Sequence, residues 1–462
     1  MDSQRRLGEM NIGKLILEFS VPAIIGMMVN TLYNIIDRIF IGHIEGIGKI
    51  AMAGVGITMP LMTIILAFGM LIGIGTATKI SIKLGQNDKE GAEKHLGNAF
   101  TLIIIISILL TIFGILFTNP LLKMFGASDS TIVYGEQFIQ VIFIGCIFNM
   151  ISFGLNHSIR SDGSPKIAMA SMLISAIINI ILDPIFIFGF GLGVRGGALG
   201  TVVAQIVSSI WILYYFTKGS SILKIRKKNL KLDKEVVLSI FAIGISPFSM
   251  QLAQSAVQIA SNNSLQVYGG DLAVSAMTII NSLAMIFLMP IFGLNQGLQP
   301  IIGYNFGAKK YGRVKQAVKY GIITATIIVV TGFIVIEVFS EKLVMIFNSD
   351  PSLIDATSHG MKIFLSMLPL IGGQIIVTNY FQSIGRVKIS MFLSLLRQVI
   401  ILIPLLLIIP IFEGLNGVWM AGAMSDFLSV IITFIVFVRT SKEIFGDKEG
   451  KDIILDKAYS KK

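Results

Sequence analysis

The feature that most constrains this chain is a series of twelve long apolar segments, drawn at about 15–41, 51–78, 96–117, 132–157, 167–193, 196–217, 236–265, 272–304, 317–339, 361–383, 389–412 and 416–438. A helix needs roughly 20 apolar residues to cross the hydrocarbon of a bilayer, and longer runs span with tilt. A transmembrane barrel would show ten-residue stretches of alternating polarity, which are absent, so the spans are helical. With 54% apolar and 14% charged residues and a mean hydropathy of +0.81, no water-soluble core could hide this chain. The expectation is an all-α integral membrane protein with twelve transmembrane helices, multi-pass in the cell (cytoplasmic) membrane.

The net charge of +11 is not spread as a nucleic-acid surface would be. Of 37 Lys and Arg, 29 fall on one side of the spans and five on the other: Lys49, Lys123, Arg195, Lys342 and Lys362. The remaining three, Arg38, Lys319 and Arg397, lie within spans. The positive-inside rule then puts both termini in the cytoplasm and accounts for the basic stretch "KIRKKNLKLDK" at 224–234 without a nucleic-acid partner. The single Cys146 excludes an intrachain disulfide, and the first apolar segment is too long for a cleaved signal peptide.

The chain is built twice. "SDGSPKIAM" at 161–169 matches "SIGRVKISM" at 383–391 in five of nine positions, an offset of 222. Gly193 and Gly196 face Gly414 and Gly417 at an offset of 221, and Gly85 faces Gly307. These matches read as a duplicated six-helix unit. Because six is even, the repeats run parallel, the arrangement in which two bundles flank a central cavity and alternate its access. The expected division is an amino-terminal lobe at 1–220, a cytoplasmic linker at 221–235, a carboxy-terminal lobe at 236–440 and a cytoplasmic tail at 441–462.

Polar residues inside the apolar runs mark the candidate site. On the fifth span Ser171, Ser175, Asn179 and Asp183 recur every four residues, along one helix face. An ionised carboxylate at mid-bilayer costs roughly 2.5–3.5 kcal/mol, so Asp183 needs a reason to be there. Pro184 removes the donor for the Ile180 carbonyl and introduces a kink. The first span carries Met27, Asn30, Tyr33, Asn34 and Asp37, and the sixth Thr201, Gln205 and Ser208. Lone serines in such stripes are ordinarily interhelical glue. Two carboxylates with an amide and a hydroxyl can also hold a shared proton or a Na⁺ ion, a hard cation. Met27, Asn30, Tyr33, Asn34 and Gln205 are the expected substrate-cavity residues. Arg38 points about 100° away from Asp37 on the helix and makes an awkward partner. In the second half, Ile401 and Leu405 replace Asn179 and Asp183, and the charges are Arg397 and Asp426, expected to form a structural ion pair or to touch substrate.

"SVPAIIGMMVNTLYNIIDRIFIGH" in the first span, "NIILDP" in the fifth and Thr201 in the sixth resemble the multidrug and toxic compound extrusion (MATE) family, and the duplicated twelve-span layout extends the resemblance over nearly the whole chain. The resemblance implies a two-lobed transporter that exports amphipathic, usually cationic drugs in exchange for H⁺ or Na⁺, a drug-resistance activity. It marks Asp37, Asn179, Asp183 and Thr201 as the coupling-cation site. Another branch of the family places functional acids on the seventh and tenth spans; here those spans read "SPFSMQLAQSAVQIASNN" and "GGQIIVTNYFQSIG", without an acid, which resembles the DinF-type side.

Three other readings compete with a transporter. An enzyme would need a nucleophile with its base or a metal site, and His43, His95, His157 and His359 are dispersed without ligand spacing. A flippase of lipid or lipid-linked oligosaccharide shares the architecture, but an anionic cargo calls for several deep cations, where only Arg38 and Arg397 are available. A passive channel needs no titratable pair. The reading is therefore an antiporter, not an enzyme, with no cofactor beyond H⁺ or Na⁺ as coupling ion and no metal beyond that Na⁺. Its partners are small amphipathic cations and membrane lipid, no nucleic acid, and it acts as a monomer. Two acids unopposed by a basic cluster favour organic cations. Some of the 22 Met and 31 Phe then supply an adaptable wall.

Overall fold

A computed structural model describes residues 3–347 and 350–445; the part of the expected tail beyond 445 lies outside them. Among the described residues every regular element is a helix. We label the spans α1 (Ile12–Gly42), α2 (Ile50–Gly85), α3 (Lys89–Leu116), α4 (a bent pair, Ile132–Ile144 and Cys146–Ser161), α5 (Pro165–Gly189) and α6 (Val194–Thr217). The helix Lys234–Gly307 has 74 residues. That is about 110 Å at 1.5 Å per residue, far beyond one bilayer. It breaks at Gly270, φ 62° and ψ −160°, into α7 (234–269) and α8 (271–307). α9 is Tyr311–Met345 and α10 the bent pair Pro351–Phe364 and Leu368–Ser383. Val387–Ser441 breaks at Gly414 into α11 (387–413) and α12 (415–441), completing twelve spans.

The duplication read from sequence is visible in the backbone. Non-glycine residues rarely take positive φ, yet Asn87 (59°) and Lys309 (58°) both do, 222 residues apart. Gly163 and Gly385 repeat the same spacing with φ 87° and 76°. Gly193 (φ 55°, ψ −131°) and Gly414 (φ 57°, ψ −135°), 221 apart, share one conformation that suits glycine, each opening the last helix of its repeat. The fourth span of each repeat is bent, by 59° in α4 and 51° in α10. Local chemistry has drifted under this geometry: the Asp88 carboxylate caps α3 by accepting from Gly91 N at 2.8 Å, whereas Lys310, at the equivalent start of α9, makes no side-chain cap.

The described residues form two compact units, one of residues 3–7 and 21–251, the other of 8–20, 252–347 and 350–445. In the first, the start of α7 lies hard against α2: a Cβ on Gly244 would stand 1.8 Å from Leu71 O, and one on Gly75 2.2 Å from Ile240 O. Residues 221–235, expected as a linker, fold onto this unit as a strap. Asp162, between α4 and α5, accepts from Tyr215 Oη at 2.5 Å, Ser221 Oγ at 2.8 Å, and Ile222 N and Leu223 N at 3.3 Å. Burial nevertheless pushes its carboxyl up to about 6. On α3, Glu93 accepts from Arg226 Nε at 2.7 Å and Lys224 N at 3.2 Å. Asn98 donates to Asn229 O and accepts from Asp233 N, and Lys94 pairs with Asp233 at 2.7 Å. In the second unit Arg313 Nη2 and Lys310 Nζ donate to Met10 O and Gly8 O, which holds the 8–20 segment there. Outward faces remain apolar, as at Leu109, Leu116, Ile210, Ile327 and Ile411, the surface a bilayer requires.

Candidate functional site

Asp37 from α1, Asn179 and Asp183 from α5 and Thr201 from α6 converge inside the first unit. Asn179 Nδ2 donates to Asp183 Oδ1 at 3.0 Å and to Thr201 Oγ1 at 3.2 Å. Asp183 is 0% exposed and Asp37 8%. Their carboxyl groups lie within hydrogen-bonding range of each other. Two ionised carboxylates only accept, so this contact calls for a proton or a cation between them. Three oxygens of this cluster, Asp37 Oδ1, Asn179 Oδ1 and Asp183 Oδ2, are buried without a hydrogen-bond partner. Each such atom left bare costs about 1–3 kcal/mol. A shared proton satisfies two of them, and a hard cation satisfies several at once. Among the described residues no group of three or more His, Cys, Asp and Glu could form a metal centre.

Local sequence explains how α5 delivers this arrangement. The four-residue period puts Asn179 and Asp183 on one face, and at Pro184, which has no N–H, the helix widens into a π-helical turn, Ile185–Gly189. Phe190 N donates to Ile185 O at 2.8 Å, closing that turn. The backbone of the turn meets α6 at Gly196, whose Cβ would lie 2.6 Å from Phe186 C.

Two residues escaped the sequence reading. A Cβ on Gly200 would stand 2.0 Å from Asp183 Oδ1, and one on Gly197 3.2 Å from Asp37 Oδ1. The α6 face that carries Thr201 is thus a side-chain-free cradle for both carboxylates. The signal existed in "GGALGT", where Gly197 sits one turn before Thr201, but the spacing alone is equally a helix-packing motif.

The other expected residues are placed as follows. Tyr33 lies near enough to Asp37 and Asp183 to interact electrostatically with both. Asn34 is exposed and donates to Asn30 O at 2.7 Å and Asn30 Oδ1 at 3.1 Å. Met27 takes the Thr31 hydroxyl on its carbonyl at 3.0 Å, and Gln205 is buried one turn beyond Thr201. Arg38 turns to Met59 Sδ at 3.5 Å. Ser171 and Ser208 tie helices together: Asn156 Nδ2 donates to Ser171 Oγ at 2.7 Å and Ser208 Oγ to Ser171 O at 3.2 Å. In the second unit Arg397 Nε pairs with Asp426 Oδ1 at 2.5 Å, and Ser425 Oγ donates to Arg397 O.

A duplicated twelve-helix membrane protein with a buried dicarboxylate in one repeat has the architecture of a secondary transporter. The MatE family model matches residues 22–185 and 247–408, one copy per repeat, and the chain belongs to that family of multidrug and toxic compound extrusion transporters, which are not enzymes. It is 29% identical over 425 residues to the multidrug export protein MepA of Staphylococcus aureus strain MRSA252, covering 92% of this chain and 93% of that one. A Staphylococcus haemolyticus MepA is 29% identical over 432 residues, with 92% and 94% covered. Among solved structures, a MOP-superfamily transporter of Pyrococcus furiosus superposes with a TM-score of 0.89 at 26% identity, covering 96% of this chain and 98% of that one. A multidrug resistance MATE transporter in an outward-facing conformation gives 0.89 at 25% identity, covering 97% and 100%.

Proposed function

We propose that the protein is a cation-coupled antiporter of the cell membrane that exports amphipathic organic cations by alternating access, with H⁺ or Na⁺ exchanged at Asp37, Asn179, Asp183 and Thr201. The observation that carries this reading is the facing Asp37 and Asp183 carboxyls with three buried oxygens that lack donors. Export of several drugs by the staphylococcal relatives supports the cargo class. Within the membrane, two acids against the single basic neighbour Arg38 leave an acidic region that attracts a cation and repels an anion. Drug and coupling ion then compete for one acidic region, and each promotes release of the other. Asn30, Tyr33, Asn34, Met27 and Gln205 form the neighbouring polar and polarizable surface on which cargo is held. The protein works as a monomer, with both termini in the cytoplasm.

The test uses proteoliposomes loaded with a fluorescent cationic dye, with pH and Na⁺ gradients imposed separately. Dye movement driven by one gradient identifies the ion. Asp37→Asn and Asp183→Asn each keep shape but remove charge, and are expected to abolish that movement while leaving membrane insertion intact. Translocation of a labelled anionic lipid with no dye movement under either gradient would replace the antiporter with a flippase.

A further inference from the structure

The second unit contains a cavity of about 180 Å³ between α9, α10 and α12, in the turn of α10 that follows its bend. Ile322, Leu370 and Phe434 make much of its wall apolar. Three polar side chains also line it: Thr326, which is half-buried, and Gln374 and Thr433, 5% and 1% exposed. Gln374 Oε1 and Thr433 Oγ1 are both buried and have no hydrogen-bond partner among the described residues. The space has a simple steric origin. At Gly372 the helices touch, since a Cβ there would stand 3.0 Å from the Ala325 carbonyl, whereas at Gly373, on the cavity wall, it would meet only Ile322 Cγ2 at 3.7 Å.

Size and chemistry together narrow the occupant. An apolar cavity of about 150 Å³ admits benzene, so this one accommodates a single six-membered ring with a small substituent. A purely apolar ring would leave the amide oxygen bare, and an amide oxygen accepts only, so the ring must bring a donor. The Thr433 hydroxyl can donate in return. Leu370 and Phe434, 42% and 54% exposed, reach the outer surface of the unit, where a membrane-dissolved molecule would arrive.

We propose that this cavity binds a phenol-class ring, whose hydroxyl donates to Gln374 Oε1 and accepts from Thr433 Oγ1. The site lies in the unit that lacks the dicarboxylate and does not depend on ion coupling. The experiment uses the full-length protein in lipid nanodiscs, with 4-fluorophenol and 4-fluorotoluene as probes followed by fluorine NMR and partitioning subtracted with protein-free discs. Saturable binding of 4-fluorophenol, at least about fivefold tighter than 4-fluorotoluene, is expected. Gln374→Leu combined with Thr433→Val should bring the two probes within about twofold of each other, as expected once the hydrogen bonds are gone. Gly373→Val, which fills the space and keeps both polar groups, should abolish binding of both probes. Asp183→Asn should leave binding intact even where it stops transport. Absence of saturable 4-fluorophenol binding, equal affinity for the two probes in the unaltered protein, or undiminished binding in Gly373→Val would each overturn the assignment; these readouts decide the matter even if the double variant does not fold.

Discussion

A methyl group on Gly200 would stand 2.0 Å from Asp183 Oδ1, so the carboxylate rests against bare backbone of α6. Any side chain there must displace the acid from its donor, Asn179 Nδ2. Gly200→Ala is expected to lower gradient-driven dye export by at least about tenfold, since a preorganised site tolerates little displacement. Gly56→Ala, with nothing within 4 Å of the added carbon, is the matched control. Equal export by the two variants would show that the cradle is irrelevant.

The Arg397–Asp426 pair, with side chains 26% and 10% exposed, should behave as a structural unit. Asp426→Asn or Arg397→Met alone leaves a charge without its partner and is expected to cost about 3 kcal/mol in unfolding free energy. The double variant Arg397→Met with Asp426→Leu should recover most of that loss. If it unfolds normally but exports no dye, the pair contacts cargo instead.

Asp162 contributes one pH dependence outside the membrane. With its carboxyl raised to about 6 by burial, the folded protein holds a proton that the unfolded chain, near 3.9, gives up earlier. Its contribution is therefore full below pH 4 and is lost as pH rises through 6. The difference in melting temperature between the unaltered protein and Asp162→Asn should fall between pH 4 and 6 and flatten above. A flat difference across that window would mean that the strap's donors have cancelled the effect of burial.

Orientation is tested by labelling. With Cys146 replaced, a cysteine at the exposed Ser220 should react with a membrane-impermeant maleimide only after cells are permeabilised. Reaction in intact cells would invert the topology.

What could be read from the sequence divides by range. Periodicity within one helix placed Asn179 and Asp183 on a common face, and internal comparison found the register in which Gly163 and Gly385, or Gly193 and Gly414, share a backbone conformation. Gly85 and Gly307 pointed to the turns where Asn87 and Lys309 take positive φ. Contacts between distant segments were silent. Nothing local to Asp162 announces that Ser221 and Leu223 will bond to it, and the worth of Gly200 depends on a carboxylate 17 residues earlier. The split of α1 and α7 between units is equally non-local, because an apolar helix looks the same whichever neighbours bury it.

The strap has a consequence for cutting the chain in two. A gene split after Ser220 would place residues 221–251 on the second polypeptide, although Arg226, Asn229 and Asp233 bond to Glu93 and Asn98 on the first. That stretch would then serve as a built-in handle, so separately synthesised halves should find one another and restore export. A split after Gln251 would leave the handle with the first half and deprive the halves of that means of reassembly.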